Sequence, residues 1–439
     1  MRLRLSNNSN NIILFAVGLL SQTQVNAVGW IGISELFCFA MGPIFFFTDI
    51  NDLRRNGFLP FFYMIFLCFL SGMVSNYVNH IPFFIALKGL SASYAIFSIS
   101  ATLYHYLRRD LGGVKWLLVG IAISTTACQF VFQPGSMRVA GGEVLSTADA
   151  TDRCVGYSLF WISQFKNWLC LPIRAWYLET PTVYSVASAL FVAVFGFVSS
   201  NNRSSMVGLI PVVLIFLGRK KVRTMTFLHR YFWLAVAIGI AFLPLASATY
   251  KYTARQGLLG EGAQRKYEDQ TKRGTDMKSI FISGRTEFFA GLFAVLEKPI
   301  VGHGSWAIDT DGYYELFLAK YGDADDWKKY NDFTQKGYVR VIPAHSWVVG
   351  FWLWNGIGGL ILMLYVLWLM IDCLKNRLHI IPEWYGYFVL SIPAMLWSWL
   401  FSPFGGRVSV SLLFIMCLFA RAVSSGRYRN YRPPVKTLR

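Results

Sequence analysis

Three side chains stand where the sequence turns polar beside an apolar run: His345, Arg203 and Arg285. His345 follows Pro343 and Ala344 and opens the apolar run 347–371. A histidine at a helix N-terminus feels the positive end of the helix dipole, which favours the neutral imidazole. That is the form able to take a proton as a general base. The position equally suits an interfacial histidine bonded to a neighbouring carbonyl, and both readings stay open. Arg203 lies in Ser199-Ser200-Asn201-Asn202-Arg203-Ser204-Ser205, between two apolar runs. The second run reaches Arg219 after about 14 residues, some 21 Å of helix at about 1.5 Å per residue, against a bilayer core of about 30 Å. With Arg219 at the cytoplasmic surface, Arg203 lies below the outer surface in a polar recess. Ser and Asn there cap a helix start, and a guanidinium reinforces an anion site. An arginine that snorkels to lipid head groups is the competing reading. Arg285, in Ser283-Gly284-Arg285-Thr286-Glu287, heads an amphipathic stretch. There a cation opposes the helix dipole, so a purely structural reason for it is weak, although a solvated surface charge fits as well.

Lys88 and Arg407 are further candidates. Lys88 sits inside an apolar run, where a charge is costly and faces a cavity. Arg407 closes Ser402-Pro403-Phe404-Gly405-Gly406 and either joins an anion site or marks a helix end. Two acidic clusters, Asp309-Thr310-Asp311-Gly312 and Asp323-Ala324-Asp325-Asp326, have spacing suited to Mg²⁺ or Ca²⁺. Asp-rich loop tips are more often turns, and neither cluster has the rest of a calcium loop, so no metal is assigned. The seven cysteines show no CxxC spacing, and only Cys154 falls in an outer loop, so no disulfide framework is implied.

The elements that position these residues are read from hydropathy. The chain of 439 residues is 55% hydrophobic and only 15% charged, against about 25% charge in a soluble domain. Apolar runs predict spans at 9–25, 28–47, 58–75, 81–103, 114–132, 155–173, 181–200, 205–218, 231–249, 345–371, 384–401 and 408–424. The expected fold is therefore an all-α polytopic membrane protein of about 12 transmembrane helices. Residues 1–27 read either as a first span or as a cleavable signal peptide. The net charge of +18 does not form a nucleic-acid face. Segments 1–8, 48–57, 104–115, 174–180, 219–230, 372–383 and 421–439 hold 21 Lys and Arg, while the short segments on the other side hold four. The positive-inside rule then puts both termini in the cytoplasm.

Residues 250–344 fall on the outer side with 14 basic and 13 acidic residues. Apolar residues at 288, 289, 292, 293 and 296 have the period of an amphipathic helix over 285–297, and 313–321 reads as another. The organisation is thus a nine-helix bundle over 1–249, a helical outer subdomain over 250–344, three helices over 345–424 and a basic tail over 425–439.

Three pieces occur in a telling order: the Ser-flanked Arg203; Gly284-Arg285 ahead of Glu297-Lys298-Pro299-Ile300-Val301-Gly302-His303-Gly304; and His345 leading into Trp354-Asn355-Gly356-Ile357-Gly358-Gly359-Leu360. The set resembles the O-antigen ligase and polymerase superfamily. The resemblance covers Ser199 to Leu360 in motif and nearly the whole chain in architecture. It implies a GT-C-like membrane fold at the bacterial inner membrane with a large periplasmic loop. It further implies metal-independent, inverting transfer of a glycan from an undecaprenyl diphosphate carrier to a lipid A-core or glycan acceptor, with no cofactor and no nucleic acid. Arg203 and Arg285 would hold the diphosphate, with Lys88 and Arg407 as lesser contributors, and His345 would activate the acceptor hydroxyl. Asn202 stands where the family often has Ser, and Ser346 where it often has Asn. Ligase, polymerase and protein O-oligosaccharyltransferase reactions all fit, and a 12-helix secondary transporter is the reading from another class.

Overall fold

The computed structural model describes residues 2–21, 23–26, 30–131, 286–321, 341–343, 346–377, 384–401 and 407–428, with a few more between 248 and 268. Among them the regular elements are helical apart from one small hairpin and an isolated antiparallel bridge between Ile308 and Val341. The order is α1 (Arg2–Leu19), β1 (Gln24–Asn26), β2 (Trp30–Gly32), α2 (Ile33–Asn56), α3 (Leu59–Val78), α4 (Phe83–Leu107) and α5 (Gly113–Val131). After the undescribed stretch come α6 (Thr286–Glu297), α7 (Tyr313–Tyr321), α8 (Trp347–Asp372), α9 (Tyr385–Phe401) and α10 (Arg407–Ser424). Five of these helices are long and apolar enough to cross a membrane, namely α2, α3, α4, α8 with the π-helical turn that continues it to Arg377, and α10. Their outward faces carry large apolar side chains, among them Phe47, Phe66 and Phe83. Such faces have a place in lipid rather than water. The predicted spans 155–173, 181–200, 205–218 and, but for Ala248, 231–249 lie outside the described residues.

The boundaries of the first two spans differ from expectation: the span predicted over 9–25 is a helix over Arg2–Leu19, and Gln24–Asn26 is a strand. The run predicted as one span over 28–47 begins as a strand, Trp30–Gly32, paired antiparallel with Gln24–Asn26, and its helix starts only at Ile33. That helix then continues through Asp49 and Asp52 to Asn56, past the predicted end. It can do so because α4 supplies partners. Asp49, 2% exposed, accepts from His105 Nδ1 at 2.7 Å and pairs with Arg108 at 2.8 Å. Gly57, with φ 78°, then stops α2 in a left-handed cap.

Helix contacts explain why small residues recur in the apolar runs. α1 packs on α5 through Gly18 and Gly120, where a Cβ on Gly18 would lie 2.3 Å from the Leu117 carbonyl oxygen. This backbone-to-backbone approach makes α1 a member of the bundle. α3 lies antiparallel to α8, and α2 packs along α4. At one end of the bundle the C-termini of α2, α4, α8 and α10 meet. Arg108 pairs with Asp52 there, Tyr428 Oη donates to the Arg108 carbonyl, and Arg377 bonds Ser424 Oγ. The start of α10 meets the start of α2 at the other end, through Arg407 and Glu35. That grouping is the one expected of helices that alternate in direction.

Candidate functional site

The polar centre of the described structure is built where α8 breaks. α8 is apolar but for Asn355 and its last residue, Asp372, yet Gly356 has φ 56° and ψ −148° inside it. This region is open essentially to glycine alone. The break sits nine residues from the helix start, roughly 14 Å along it at about 1.5 Å per residue. A break releases backbone groups, and within a bilayer these are tolerated only where protein satisfies them.

The segment after α6 supplies most of the partners. Lys298–Trp306 runs into the break, where Ile300 O accepts from Ile357 N at 2.8 Å and His303 N donates to Leu353 O at 2.7 Å. Trp352 Nε1 donates to Pro299 O at 2.7 Å. Gly302, at φ 76°, comes so close that a Cβ there would lie 2.6 Å from the Leu353 carbonyl oxygen. From the other side α3 contributes Ser71, whose Oγ donates to Asn355 O at 2.5 Å and accepts from Gly358 N at 3.3 Å. The N-terminus of the second half-helix is therefore occupied by a carbonyl and a hydroxyl of the protein itself.

Around this wedge lies a ring of amides and cations. Asn79 Nδ2 donates to Gly302 O at 3.1 Å, and Lys298 Nζ donates to Asn79 Oδ1 at 3.3 Å. Asn76 Oδ1 accepts from Ser305 N at 2.7 Å. Lys88 Nζ stands 4.1 Å from the ring centre of Trp306, which stacks on Trp354 at 5.1 Å. Trp306 has φ 52°, a left-handed conformation uncommon for so bulky a residue. Asn76 Nδ2, Ser305 Oγ, Trp306 Nε1 and Asn355 Oδ1 are buried here with no partner among the described residues. Buried polar atoms of this kind cost about 1–3 kcal/mol each unless satisfied. Buried water satisfies such atoms where the packing leaves room for it.

The wedge is rigid at its base. His303, 5% exposed, lies edge-on to Tyr313 with ring centres 5.4 Å apart. Its Nε2 is 2.7 Å from the Ala294 carbonyl, so Nε2 carries the proton and donates. Burial holds its pKa below the usual value, and the nearby Lys298 ammonium adds to that. Tyr313 Oη donates to Glu297 Oε2 at 2.5 Å, with Asp311 Oδ2 at 3.2 Å. Burial and these carboxylates push its phenol far up, so it remains a donor. Asp309 accepts from Tyr313 N at 2.8 Å and Tyr314 N at 3.0 Å, with one carboxylate oxygen for each. This carboxylate caps the first turn of α7.

Of the five residues picked out from sequence, Lys88 and Arg407 are described. Lys88 meets the wedge through the Trp306 ring, but it is exposed rather than facing a cavity as its place in the apolar run predicts. Arg407 does not: it opens α10 and pairs at 3.1 Å with Glu35, whose Oε2 also accepts from Gly32 N at 3.1 Å. Its role as a helix end is visible, and no contact joins it to Lys88 among the described residues. Arg203, Arg285 and His345 lie outside the described residues, as do Asp323, Asp325 and Asp326. α6 begins one residue after Arg285. α8 begins two residues after His345, with Ser346 Oγ accepting from Val349 N and donating to the Trp399 carbonyl at 3.0 Å.

Sequence reasoning missed Ser71, Asn76, Asn79, Ser305 and Trp306. The available signal was a pair of asparagines three apart at the end of an apolar run. Such polar residues at span ends are common, so it was weak. No family model matches the sequence, and no curated protein matches it.

Proposed function

We propose that the chain is an O-antigen ligase-like glycosyltransferase of the bacterial inner membrane, with a GT-C-like bundle of about twelve helices and its site facing the periplasm. The observation that most supports this reading is the union of Lys298–Gly304 with Trp354–Leu360. These two segments were singled out from sequence as separate parts of one family-like set. In space each supplies the backbone partners that the other lacks. The helices that follow Arg285 and His345 in sequence pack on each other, α6 against α8.

In the proposed reaction the acceptor hydroxyl attacks the anomeric carbon of a polyprenyl-diphosphate glycan. His345 takes the hydroxyl proton, a C–O bond forms, and the bond to the diphosphate breaks with inversion. Arg203 and Arg285 stabilise the departing diphosphate through bidentate donors, a role that needs no metal. Lys88 and Lys298 add positive charge beside the wedge.

The occupied half-helix N-terminus favours this reading over a secondary transporter, in which such an end faces the substrate or coupling ion. The test is a deletion strain examined on a polysaccharide gel. Loss of long glycan from lipid A-core, with undecaprenyl-linked glycan accumulating, is the expected outcome. Unlinked single repeat units would move the assignment to the polymerase. A wild-type glycan pattern would overturn the proposal.

A further inference from the structure

The opposite end of the bundle, which the lysine and arginine distribution assigns to the cytoplasm, holds a second feature. A cavity of about 350 Å³ opens where α2, α4 and α10 finish. This volume is at the lower end of the roughly 300–1,000 Å³ of small-molecule sites. Four arginines line it, Arg55, Arg108, Arg109 and Arg427, against one acid, Asp52.

Its floor is fixed. Arg108 is held by Asp49 at 2.8 Å and Asp52 at 2.5 Å, and its carbonyl accepts from Tyr428 Oη at 2.7 Å. Asn56, also lining the cavity, donates to Tyr104 Oη at 2.9 Å. The other three arginines differ. Among the described residues no acid pairs with Arg55, Arg109 or Arg427, and all three are exposed.

Helix C-termini attract cations, which gives arginines at the ends of α2 and α4 a structural reason. It does not account for Arg427. This residue lies past the end of α10 and brings its guanidinium over the α2–α3 turn, so close that a Cβ on Gly57 would meet it at 2.6 Å. Three separate segments thus bring guanidinium groups to one concavity at the level where membrane-spanning helices stop. Head-group phosphates occupy that level of a bilayer, and basic pockets between helix ends on the cytoplasmic side hold anionic lipid. Guanidinium groups match phosphate oxygens in pairs.

We propose that this cavity binds the phosphate of an anionic membrane phospholipid of the phosphatidylglycerol or cardiolipin class. The site is separate from the wedge at α8 and does not depend on the transferase reading.

The test measures lipid binding to the full chain in detergent by native mass spectrometry. It uses phosphatidylglycerol, phosphatidylcholine with the same acyl chains, and inorganic phosphate. Phosphatidylglycerol should bind in preference to phosphatidylcholine. The double variant Arg55→Gln/Arg427→Gln should bind it roughly 30-fold more weakly, the factor expected of two basic residues at an anionic surface. Arg54→Gln, at the same helix end but not lining the cavity, should bind as the wild type does. Should the double variant not fold, Arg109→Gln alone serves with a smaller expected loss. Equal binding of the two lipids by the wild type would overturn the proposal, as would undiminished binding by the cavity variants. Full competition by inorganic phosphate would assign the cavity to a soluble anion instead.

Discussion

Gly356→Ala is the substitution that most sharply probes the wedge. It adds one methyl group, and the cost can be worked from the structure. At φ 56° and ψ −148° an alanine is strained, by about 1–3 kcal/mol for so sparsely populated a region. The new Cβ would lie 2.2 Å from the Ile300 carbonyl oxygen and 2.5 Å from that of Val301. Both are backbone atoms, so the Lys298–Trp306 segment must move. Its bonds from Ile357 N to Ile300 O and from His303 N to Leu353 O are then lost, at about 0.5–1.5 kcal/mol each. Together these terms give a loss of about 2–6 kcal/mol. Gly426→Ala separates strain from displacement, because Gly426 also has a positive φ, 68°, but has nothing within 4 Å of its added Cβ. That control should cost about 1–2 kcal/mol. The assay is thermal unfolding of both variants in detergent, followed by size-exclusion fluorescence. Equal midpoints for the two would refute the argument that the inserted segment closes the helix break.

Three further outcomes follow from the same geometry. Burial holds His303 below its usual pKa, so the fold favours the neutral ring; the stability this contributes is present above about pH 6.5 and is lost as pH falls below it. Midpoints measured across that range should fall at the acid side for the wild type and less for His303→Gln. Asp309→Ala should cost about 0.5–2 kcal/mol through the lost cap of α7, and adding EDTA to the wild type should leave its midpoint unchanged; a large EDTA effect would return the acidic loop to consideration as a metal site. The Arg407–Glu35 pair is part-buried, at 23% and 9% exposure, and a double-mutant cycle on Arg407→Met and Glu35→Gln should give a coupling of about 1 kcal/mol. Complete loss of transfer in Arg407→Met with a normal midpoint would restore Arg407 to the anion site.

Much of the helical framework could be read from the sequence because lipid-crossing helices need continuous apolar length. The runs beginning near 58, 81, 114, 384 and 408 become α3, α4, α5, α9 and α10 within a few residues. The amphipathic period over 285–297 becomes α6, and 313–321 becomes α7. What hydropathy missed depends on partners far away in the chain. α2 runs past its predicted end because Asp49 pairs with Arg108 and accepts a hydrogen bond from His105, both on another helix. The pairing of Glu35 with Arg407 spans 372 residues. The break in α8 was hidden for another reason: Gly356 sits among Gly350, Gly358 and Gly359 in a run whose one polar residue before Asp372 is Asn355. Only the Asn355-Gly356 pair, a turn-favouring dipeptide, sets this glycine apart from one that lets helices pack. The loop that fills the break lies some 50 residues earlier. The wedge was therefore present in the sequence as two separate segments, without any sign that they touch.

Transfer by the purified chain tests the central claim most directly. Undecaprenyl-diphosphate-linked glycan and lipid A-core are supplied in detergent with EDTA, and glycan released from the diphosphate onto the acceptor is followed over time. The wild type should transfer in EDTA, and His345→Ala should still bind the donor while its rate falls by about 10²–10⁴, the usual contribution of a general base. Arg203→Ala and Arg285→Ala should lose donor binding as well. No turnover by the wild type, or a His345→Ala rate within a few-fold of it, would contradict the account.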